Sequence, residues 1–520
     1  MSKPPPAVLL DGNSAGRSHL LSNSKWNLVA FLITLAANFV TIPFVIDAIG
    51  MDEFGTAGLI LAALAPMMLV GTVLGQATLR EISHRFASKD LGSARRIFSS
   101  AMALCALAGA AVLLVMLLCG SAFISLLNRD GQATNWQLAL TVAATGWFAQ
   151  QFVLVLQSTV AATQQYKSMA LISVVATAAS AAAIMTAVAL KPDGLGYLAG
   201  TALGFGVALM VWTVLVCRGF PWLLPMSNIG RAEIRAILAF GKWQGAGHLI
   251  GALGIQMDRY VLGALAPLAV VGQYNVAMRL QEVMQMPVMK IGEILFPHFS
   301  VTSIDGIARR AGFFLTASWV LNTVAVCALA PLIPLAEESL TLWVRHSEAT
   351  GAAPILRTLV TAGIIGSGVN VYSYFAMGTG QPAALAKLTA VYSVLAILLT
   401  ALLIHQYGVR GAGVGAVIAG IVRLLLVIYL SKRYFGNTVS KSDLITATLL
   451  PLLAGLGIAW LWYSANLLAP HNWPTLGLSY IVIASSVALT SIAISCTNIA
   501  GRRMVLNTVR TMHSILSKRA

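Results

Sequence analysis

The amino-acid sequence predicts an all-α integral membrane protein with about 14 transmembrane helices, and three observations support this fold class. First, 58% of the 520 residues are hydrophobic and only 10% are charged, whereas soluble domains carry roughly 25% charged residues. Second, the apolar residues form long continuous runs, such as residues 101–118, and membrane β-barrels show short alternating segments instead. Third, a backbone in hydrocarbon must satisfy its own hydrogen bonds, so runs of this kind are expected to be helical.

Fourteen apolar runs are long enough to span a bilayer, at about 20 residues each. They lie near 26–46, 55–79, 99–127, 137–160, 169–190, 196–217, 239–263, 274–298, 312–333, 354–378, 385–405, 411–430, 444–468 and 477–500. The first 24 residues are polar and contain no apolar core of the kind a signal peptide needs, so we expect the first run to be retained as a span.

Basic residues in the connectors predict the orientation. Of the 33 lysines and arginines, 23 lie on the side of the amino terminus and 4 on the opposite side, with the rest inside spans. Positive charge is retained on the cytoplasmic side. Both termini are therefore expected in the cytoplasm.

Short glycine-containing segments recur in the two halves at a nearly constant offset. The segment at 52–63 follows the first span and the segment at 270–280 follows the seventh, with Gly55 and Gly272 in matching places. Segments 190–204 and 405–420 match in the same way. Six spans per repeat is an even number, so the halves are expected to have the same orientation and to be related by pseudo-two-fold symmetry about the membrane normal.

This duplication gives an expected division of the chain. It consists of a cytoplasmic N-terminal tail (1–24), an N-terminal six-helix bundle (25–217), a cytoplasmic linker (218–237), a C-terminal six-helix bundle (238–435), two additional transmembrane helices (436–500) and a basic cytoplasmic tail (501–520).

Three segments carry a resemblance to a known family. They are the exit of the first span (TIPFVIDAIGMDEFGTAGLILAAL), residues 256–300 and residues 378–420. In the order and position of these segments, the chain resembles Wzx-type polysaccharide flippases of the multidrug/oligosaccharidyl-lipid/polysaccharide (MOP) exporter superfamily. The resemblance covers roughly residues 25–435.

The resemblance implies two six-helix bundles around a central cavity, working by alternating access. It also implies a polyprenyl-diphosphate-linked oligosaccharide as substrate, moved for the synthesis of exopolysaccharide, capsule or O-antigen. No cofactor or nucleotide is expected, and the driving force would be a gradient of H⁺ or Na⁺. The expected partners are the lipid bilayer, the lipid-linked oligosaccharide, and a polysaccharide polymerase and co-polymerase of the same pathway.

Two alternatives remain open at the level of sequence. Ion-coupled multidrug exporters of the same superfamily typically carry an acidic residue within the first span, where this chain has Asn38. Membrane glycosyltransferases and polymerases are the other alternative, since Asp47, Asp52 and Glu53 cluster in the predicted first outer loop. The chain has no large outer loop and none of the common catalytic motifs GxxxxGK[ST], HExxH or GxSxG with triad partners. We therefore expect a protein that is not an enzyme.

Four charged residues follow one face of the predicted eighth span. They are Arg279, Glu282, Lys290 and Glu293. At 100° per residue they fall within a stripe of about 80°. Ionisable residues at membrane depth face protein or a water-filled cavity, so the stripe predicts cavity lining. Pairing of Arg279 with Glu282 and of Lys290 with Glu293, each at i,i+3, is the structural alternative.

The seventh span adds His248 near its middle and the adjacent Asp258 and Arg259 near its outer end. Arg423, near the middle of the twelfth span, has no acidic residue within one turn. Because a guanidinium fork binds two oxygens at once, Arg423 is the strongest candidate for contact with a diphosphate or an acidic sugar.

The charges within the predicted spans are cationic in sum. They are Lys242, Arg259, Arg279, Lys290, Arg357 and Arg423 against Asp258, Glu282 and Glu293. All of them lie in the predicted C-terminal six-helix bundle (238–435), and a cationic cavity concentrates an anionic substrate. A nucleic-acid partner is not expected, since the basic residues of this chain with net charge +16 are spread over short connectors and not over one face. The five cysteines show no CxxC spacing, so no metal site is predicted.

Overall fold

The structure is a computed structural model. It describes residues 14–127, 136–223, 229–293, 295, 299 and 306–517, apart from positions 89, 164, 345, 346, 380, 467 and 469. Within these ranges every regular element is a helix. Close contacts divide the chain into two compact units, unit 1 (Met1–Gln256) and unit 2 (Met257–Ala520).

Unit 1 is built from six long helices and the first part of a seventh. They are α1 (Ser14–Leu64), α2 (Leu69–Ala87), α3 (Leu91–Leu127), α4 (Trp136–Ala162), α5 (Tyr166–Leu190), α6 (Gly194–Gly219) and α7 (Arg231–Leu265). Helix α4 lies at the centre of this bundle, in contact with α2, α3 and α6, and α1 packs against α5. The division between the units falls within α7, between Gln256 and Met257.

The first two predicted spans have other boundaries in the structure, because α1 continues from the first span into the second. Helix α1 already begins at Ser14, inside the predicted tail, and Gly50 interrupts it with φ 78° and ψ 173°. This left-handed φ favours glycine. The second predicted span then changes into a 3₁₀ turn at Ala65–Met68, which contains Pro66. Just after this turn, the Gly71 N–H donates a hydrogen bond to Oε1 of the buried Gln151 on α4 at 2.6 Å. A side chain of a neighbouring helix therefore satisfies a backbone donor beside the break.

Among the described residues, unit 2 contains the rest of α7 and ten further α-helices. They are α8 (Leu268–Glu293), α9 (Ile307–Leu329), α10 (Ala336–Val344), α11 (Ala353–Ser367), α12 (Asn370–Gly378), α13 (Pro382–Tyr407), α14 (Val409–Phe435), α15 (Lys441–Ala465), α16 (Trp473–Ser495) and α17 (Ile499–Ser517). Helices α11 and α12 together occupy the tenth predicted span, which is interrupted at Gly368 and Val369. The segment predicted as a basic tail forms most of α17.

The two segments matched by the internal repeat form equivalent helical hairpins. In unit 2, α13 and α14 are joined at Gly408, whose φ is +60°, and a Cβ on Gly415 would lie 2.9 Å from the backbone N of Thr400. In unit 1, a Cβ on Gly200 would lie 2.8 Å from the Cα of Ile184 on α5. Glycine is required at both places because the two backbones touch.

Eleven helices among the described residues are long and apolar enough to span a membrane. The prediction of an all-α integral membrane protein is therefore confirmed, whereas the count of 14 spans is not. Helix α8 is not among these eleven, and it carries the four charged residues of the stripe. The predicted domain boundaries and the symmetry relation remain predictions.

Candidate functional site

One polar arrangement in unit 2 surrounds the carboxylate of the half-buried Asp258, on the last part of α7. The hydroxyl of Tyr274 on α8 donates to Oδ2 at 2.9 Å. The hydroxyl of Thr400 on α13 donates to Oδ1 at 3.1 Å. Tyr274 is 1% and Thr400 0% exposed, so one carboxylate connects three helices in the interior of the unit.

The next residue, Arg259, carries the positive charge of this region toward α8. Its Nη2 lies 3.2 Å from the sulfur of Met278, and it interacts electrostatically with Asp258, Arg279 and Glu282. Asp258 and Arg259 on α7, which the sequence singled out separately from the α8 stripe, therefore lie close to Arg279 and Glu282 of that stripe.

Arg279 and Glu282 form the ion pair that the sequence offered as a structural alternative. Nη1 of Arg279 lies 3.1 Å from Oε2 of Glu282, and both side chains are partly exposed, at 49% and 34%. Neutralisation within the pair leaves less of the stripe's charge for a ligand. Along the same stripe, Met286 is half-buried and Lys290 is exposed, whereas Val288 is buried. Residues off the stripe, among them Pro287 and Ile291, are exposed as well, so exposure does not distinguish the stripe, and cavity lining stays a prediction.

Arg423 lies near the middle of α14 and meets an aromatic ring in place of a carboxylate. Its guanidinium carbon is 4.8 Å from the centre of the Tyr392 ring on α13. Its Nε is buried and has no hydrogen-bond partner among the described residues. A cation–π contact of this kind stabilises a partly desolvated guanidinium, and it leaves the N–H donors of Arg423 available to an anion.

Tyr392 interacts with both charged groups. It stacks beneath Arg423 and interacts electrostatically with Asp258. The hairpin sets this spacing, because the same antiparallel packing of α13 on α14 places Gly415 against Thr400. We call Asp258, Tyr274, Thr400, Tyr392 and Arg423 the unit 2 polar cluster.

The other predicted site residues are not assembled into this cluster by the described structure. Asn38 is exposed, and its amide donates to the Thr34 carbonyl of its own helix at 2.9 Å. Lys290 is exposed near the end of α8. His248 and Glu293 lie in helices, on α7 and α8, but their side chains are outside the described part of the chain.

Two other groups considered in the sequence have structural partners. Glu53 accepts a hydrogen bond from the Gly194 N–H at 3.1 Å, which places a carboxylate at the start of α6, where an anion is stabilising. Arg357 donates to the Ile333 carbonyl at 3.2 Å, and its guanidinium lies 4.5 Å from the centre of the Tyr463 ring. Arg357 thus joins α11 to the additional helix α15.

Sequence reasoning missed Tyr274, Thr400 and Tyr392. None is charged, and an uncharged hydroxyl on an apolar helix gives little signal in a hydropathy scan. Tyr274 could have been found, because it is adjacent to Asn275 at the edge of the polar stripe. The partners on α13 could not, because no helical periodicity relates them to Asp258, which lies more than 100 residues earlier.

The chemistry of the cluster is that of binding. A half-buried carboxylate with two hydroxyl donors can take up a proton or a small cation, and a guanidinium on an aromatic ring can hold an anion. Among the described residues, no group of three or more histidine, cysteine, aspartate or glutamate side chains could hold a metal ion.

The fold is shared with solved membrane transporters. The lipid II flippase MurJ in an inward closed conformation is similar with a TM-score of 0.70 and 14% identity, over 91% of this chain and 98% of that one. An inward-facing multidrug resistance MATE family transporter of the MOP superfamily is similar with a TM-score of 0.67 and 15% identity, over 78% and 95%. At these identities the likeness establishes the fold, and the fold is that of MOP superfamily proteins.

Sequence comparison then gives the family. The profile described as "Polysaccharide biosynthesis protein" matches residues 20–303, which is more than half of the chain, and the protein belongs to this family. A curated relative, the teichuronic acid biosynthesis protein TuaB of Bacillus subtilis (strain 168), is 27% identical over 136 residues. That match spans about a quarter of either protein, 25% of this chain and 27% of TuaB. The predicted resemblance to the polysaccharide branch of the MOP superfamily is confirmed at the level of family and fold, and the apolar helices agree with a multi-pass membrane protein.

Proposed function

We propose that the protein is a flippase that moves polyprenyl-diphosphate-linked oligosaccharide across the cytoplasmic membrane for surface polysaccharide synthesis. Membership of the polysaccharide biosynthesis family supports a glycan substrate, as does the fold shared with a protein named lipid II flippase. The observation that carries the proposal to a site is Arg423, a guanidinium in the middle of a membrane helix with an aromatic ring on one side and no carboxylate within ion-pair distance among the described residues.

The physical argument rests on the cost of such a group. A charged side chain near the centre of a bilayer costs a few kcal/mol on insertion scales, so a retained arginine needs a compensating role. The cation–π contact with Tyr392 offsets part of this cost, by roughly 0.5–2 kcal/mol. A diphosphate would supply the remaining compensation during transport, because its oxygens can accept from two N–H groups of one guanidinium.

The driving force in this proposal is a gradient of H⁺ or Na⁺, and Asp258 is the coupling group. Its carboxylate is held by Tyr274 and Thr400 inside unit 2, and Thr400 lies on α13, the same helix whose Tyr392 ring contacts Arg423. Loading of Asp258 with a proton or a cation removes its negative charge from that region. The affinity of the nearby guanidinium for an anion would change as a result, which is the coupling an ion-driven transporter needs.

The cellular test is deletion of the gene and complementation. Cells without the protein should lose surface polysaccharide and accumulate the lipid-linked oligosaccharide on the cytoplasmic leaflet, and the wild-type gene should reverse both effects. If deletion leaves the surface glycan intact and changes only the susceptibility of the cells to drugs, the multidrug-exporter alternative is correct.

The test of coupling uses purified protein in liposomes. A pH or sodium gradient should accelerate the flipping of a fluorescent polyprenyl-diphosphate glycan by the wild type. Asp258→Asn should abolish this acceleration and keep slow equilibration across the bilayer. Glu282→Gln is the control, since it removes a carboxylate that is already paired with Arg279. Gradient-driven flipping by Asp258→Asn at the wild-type rate would exclude Asp258 as the coupling group.

A polymerase and a co-polymerase of the same pathway are the proposed protein partners, because a flipped oligosaccharide must be consumed on the outer side. The inner membrane and cytoplasmic termini belong to the same proposal, and they follow from the distribution of basic residues.

A further inference from the structure

The last described helix, α17, begins directly after a membrane-spanning helix. Only residues 496–498 separate it from α16. The turn is fixed to the rest of unit 2, since Trp319 donates to the hydroxyl of Ser495 at 2.7 Å and Asn498 donates to the hydroxyl of Thr446 at 3.1 Å. Thr446 is about 7.5 Å along α15 from its first residue, Lys441, at 1.5 Å per residue. The turn therefore lies close to the end of a membrane helix.

One face of α17 is docked on unit 2. Met504 is 4% exposed and packs with Trp319 of α9 and Ala447 of α15, together with the partly buried Ala500 and Val505. These contacts fix which side of α17 points away from the protein.

The outward face of α17 combines large apolar residues with arginines. Ile499, Leu506 and Val509 are 70%, 53% and 57% exposed, and Arg502 and Arg503 are exposed beside them. At 100° per residue these five residues fall within an arc of about 120°. Residues 499–520 include five basic residues and no acidic residue.

This composition selects a lipid surface as the partner. In water, three large apolar side chains on one face of a helix would remain exposed at a cost. In the membrane interface an amphipathic helix buries such residues about 5–10 Å deep, while its arginines contact anionic head groups. We propose that the outward face of α17 lies in the membrane interface and binds anionic phospholipid, independently of what the protein transports.

The depth of α17 can be measured on the full chain in nanodiscs. With the five native cysteines replaced, a nitroxide would be attached at a cysteine in place of Leu506. In discs of phosphatidylglycerol and phosphatidylcholine it should be more accessible to oxygen than to a nickel chelate, as in the acyl-chain region. A label at Ser88, in the loop between α2 and α3, is the aqueous control.

Two outcomes of this measurement would overturn the proposal. One is a label at 506 as open to the nickel chelate as the label at 88. The other is a label that stays aqueous in nanodiscs but becomes immobilised in native membranes, because this result would assign the face to a protein partner.

The lipid specificity is tested by the phospholipids that copurify with the protein or bind to it. Arg503→Gln should lower the preference for phosphatidylglycerol over phosphatidylcholine by about fivefold, the effect of one basic residue at a membrane surface. Arg235→Gln, which removes an equally exposed charge near the start of α7, should leave the preference unchanged. An unchanged preference in Arg503→Gln, or an equal loss in Arg235→Gln, would overturn the proposal.

Discussion

The hydrogen bonds around Asp258 predict how much stability each hydroxyl contributes. Tyr274→Phe and Thr400→Val each remove one donor and keep nearly the same shape. Tyr274 and Thr400 are at most 1% exposed, so we expect that water will not replace the lost hydrogen bond. A hydrogen bond to a charged group contributes about 1.5–3 kcal/mol, and a neutral one about 0.5–1.5 kcal/mol.

These ranges make the substitutions a measure of the charge on Asp258. If the carboxylate is ionised, Tyr274→Phe should lower the free energy of unfolding of the wild type by about 1.5–3 kcal/mol. The same substitution should lower it by less in a protein that already carries Asp258→Asn. The double variant should lose less than the sum of the single losses, because a carboxylate without donors takes up a proton and escapes the remaining penalty.

The assay is reversible unfolding of the purified protein in mild detergent by addition of a denaturing detergent, followed by tryptophan fluorescence or helical signal. Wild type, both single variants and the double variant form a thermodynamic cycle. Equal stability of Tyr274→Phe and wild type, or strict additivity in the double variant, would contradict a carboxylate shared by the two hydroxyls.

Three further outcomes are expected. Gly415→Ala should destabilise the protein by about 1–3 kcal/mol, because the new Cβ would lie 2.9 Å from a backbone nitrogen of α13. Gly457→Ala is the control and should not destabilise it, because its Cβ would meet nothing within 4 Å. Thermal unfolding of the two variants measures the difference. The 2.9 Å ion pair of Arg96 with Glu233 lowers the pKa of that carboxyl below its ordinary 4.5. Stability from the pair, about 0.5 kcal/mol for a partly exposed pair, is therefore present above pH 4.5 and lost as pH falls through the lower pKa of the folded state. The free energy of unfolding of Glu233→Gln should accordingly depend less on pH in the acid range. A cysteine in place of Ser88 should be protected from an impermeant thiol reagent in intact cells. Labelling from outside would contradict the predicted orientation.

The positions of the helices were largely predictable because length and hydropathy are properties of continuous sequence. The interruptions were less so. The break at Gly50 needs one left-handed residue, and 45 glycines in the chain give no means of choosing it. Helix α17 was predicted as a tail because its arginines lower its hydropathy, while its apolar residues become meaningful only when one face is seen to dock on Trp319.

The candidate site was predictable where it is charged. Asp258, Arg259 and Arg423 stand out in an apolar sequence since each is costly in a membrane, and the structure places all three in unit 2. Their partners depend on packing between helices, so the contacts of Tyr274 and Thr400 with Asp258 could be recognised only in the structure. Arg279 and Glu282 show that a charged pattern alone does not identify a ligand site. Both residues fitted the predicted cavity stripe, yet they form an ion pair with each other.

The central claim is that Arg423 holds the anionic part of the substrate during transport, and the most direct measurement is the flipping rate of a fluorescent polyprenyl-diphosphate glycan by reconstituted variants of equal abundance. Arg423→Ala should abolish flipping and leave the protein folded. Arg423→Lys should restore only part of the rate, because an ammonium keeps the charge and loses the two-pronged geometry. A rate for Arg423→Ala equal to that of the wild type would contradict the claim, and so would a loss of flipping that only follows a loss of folded protein.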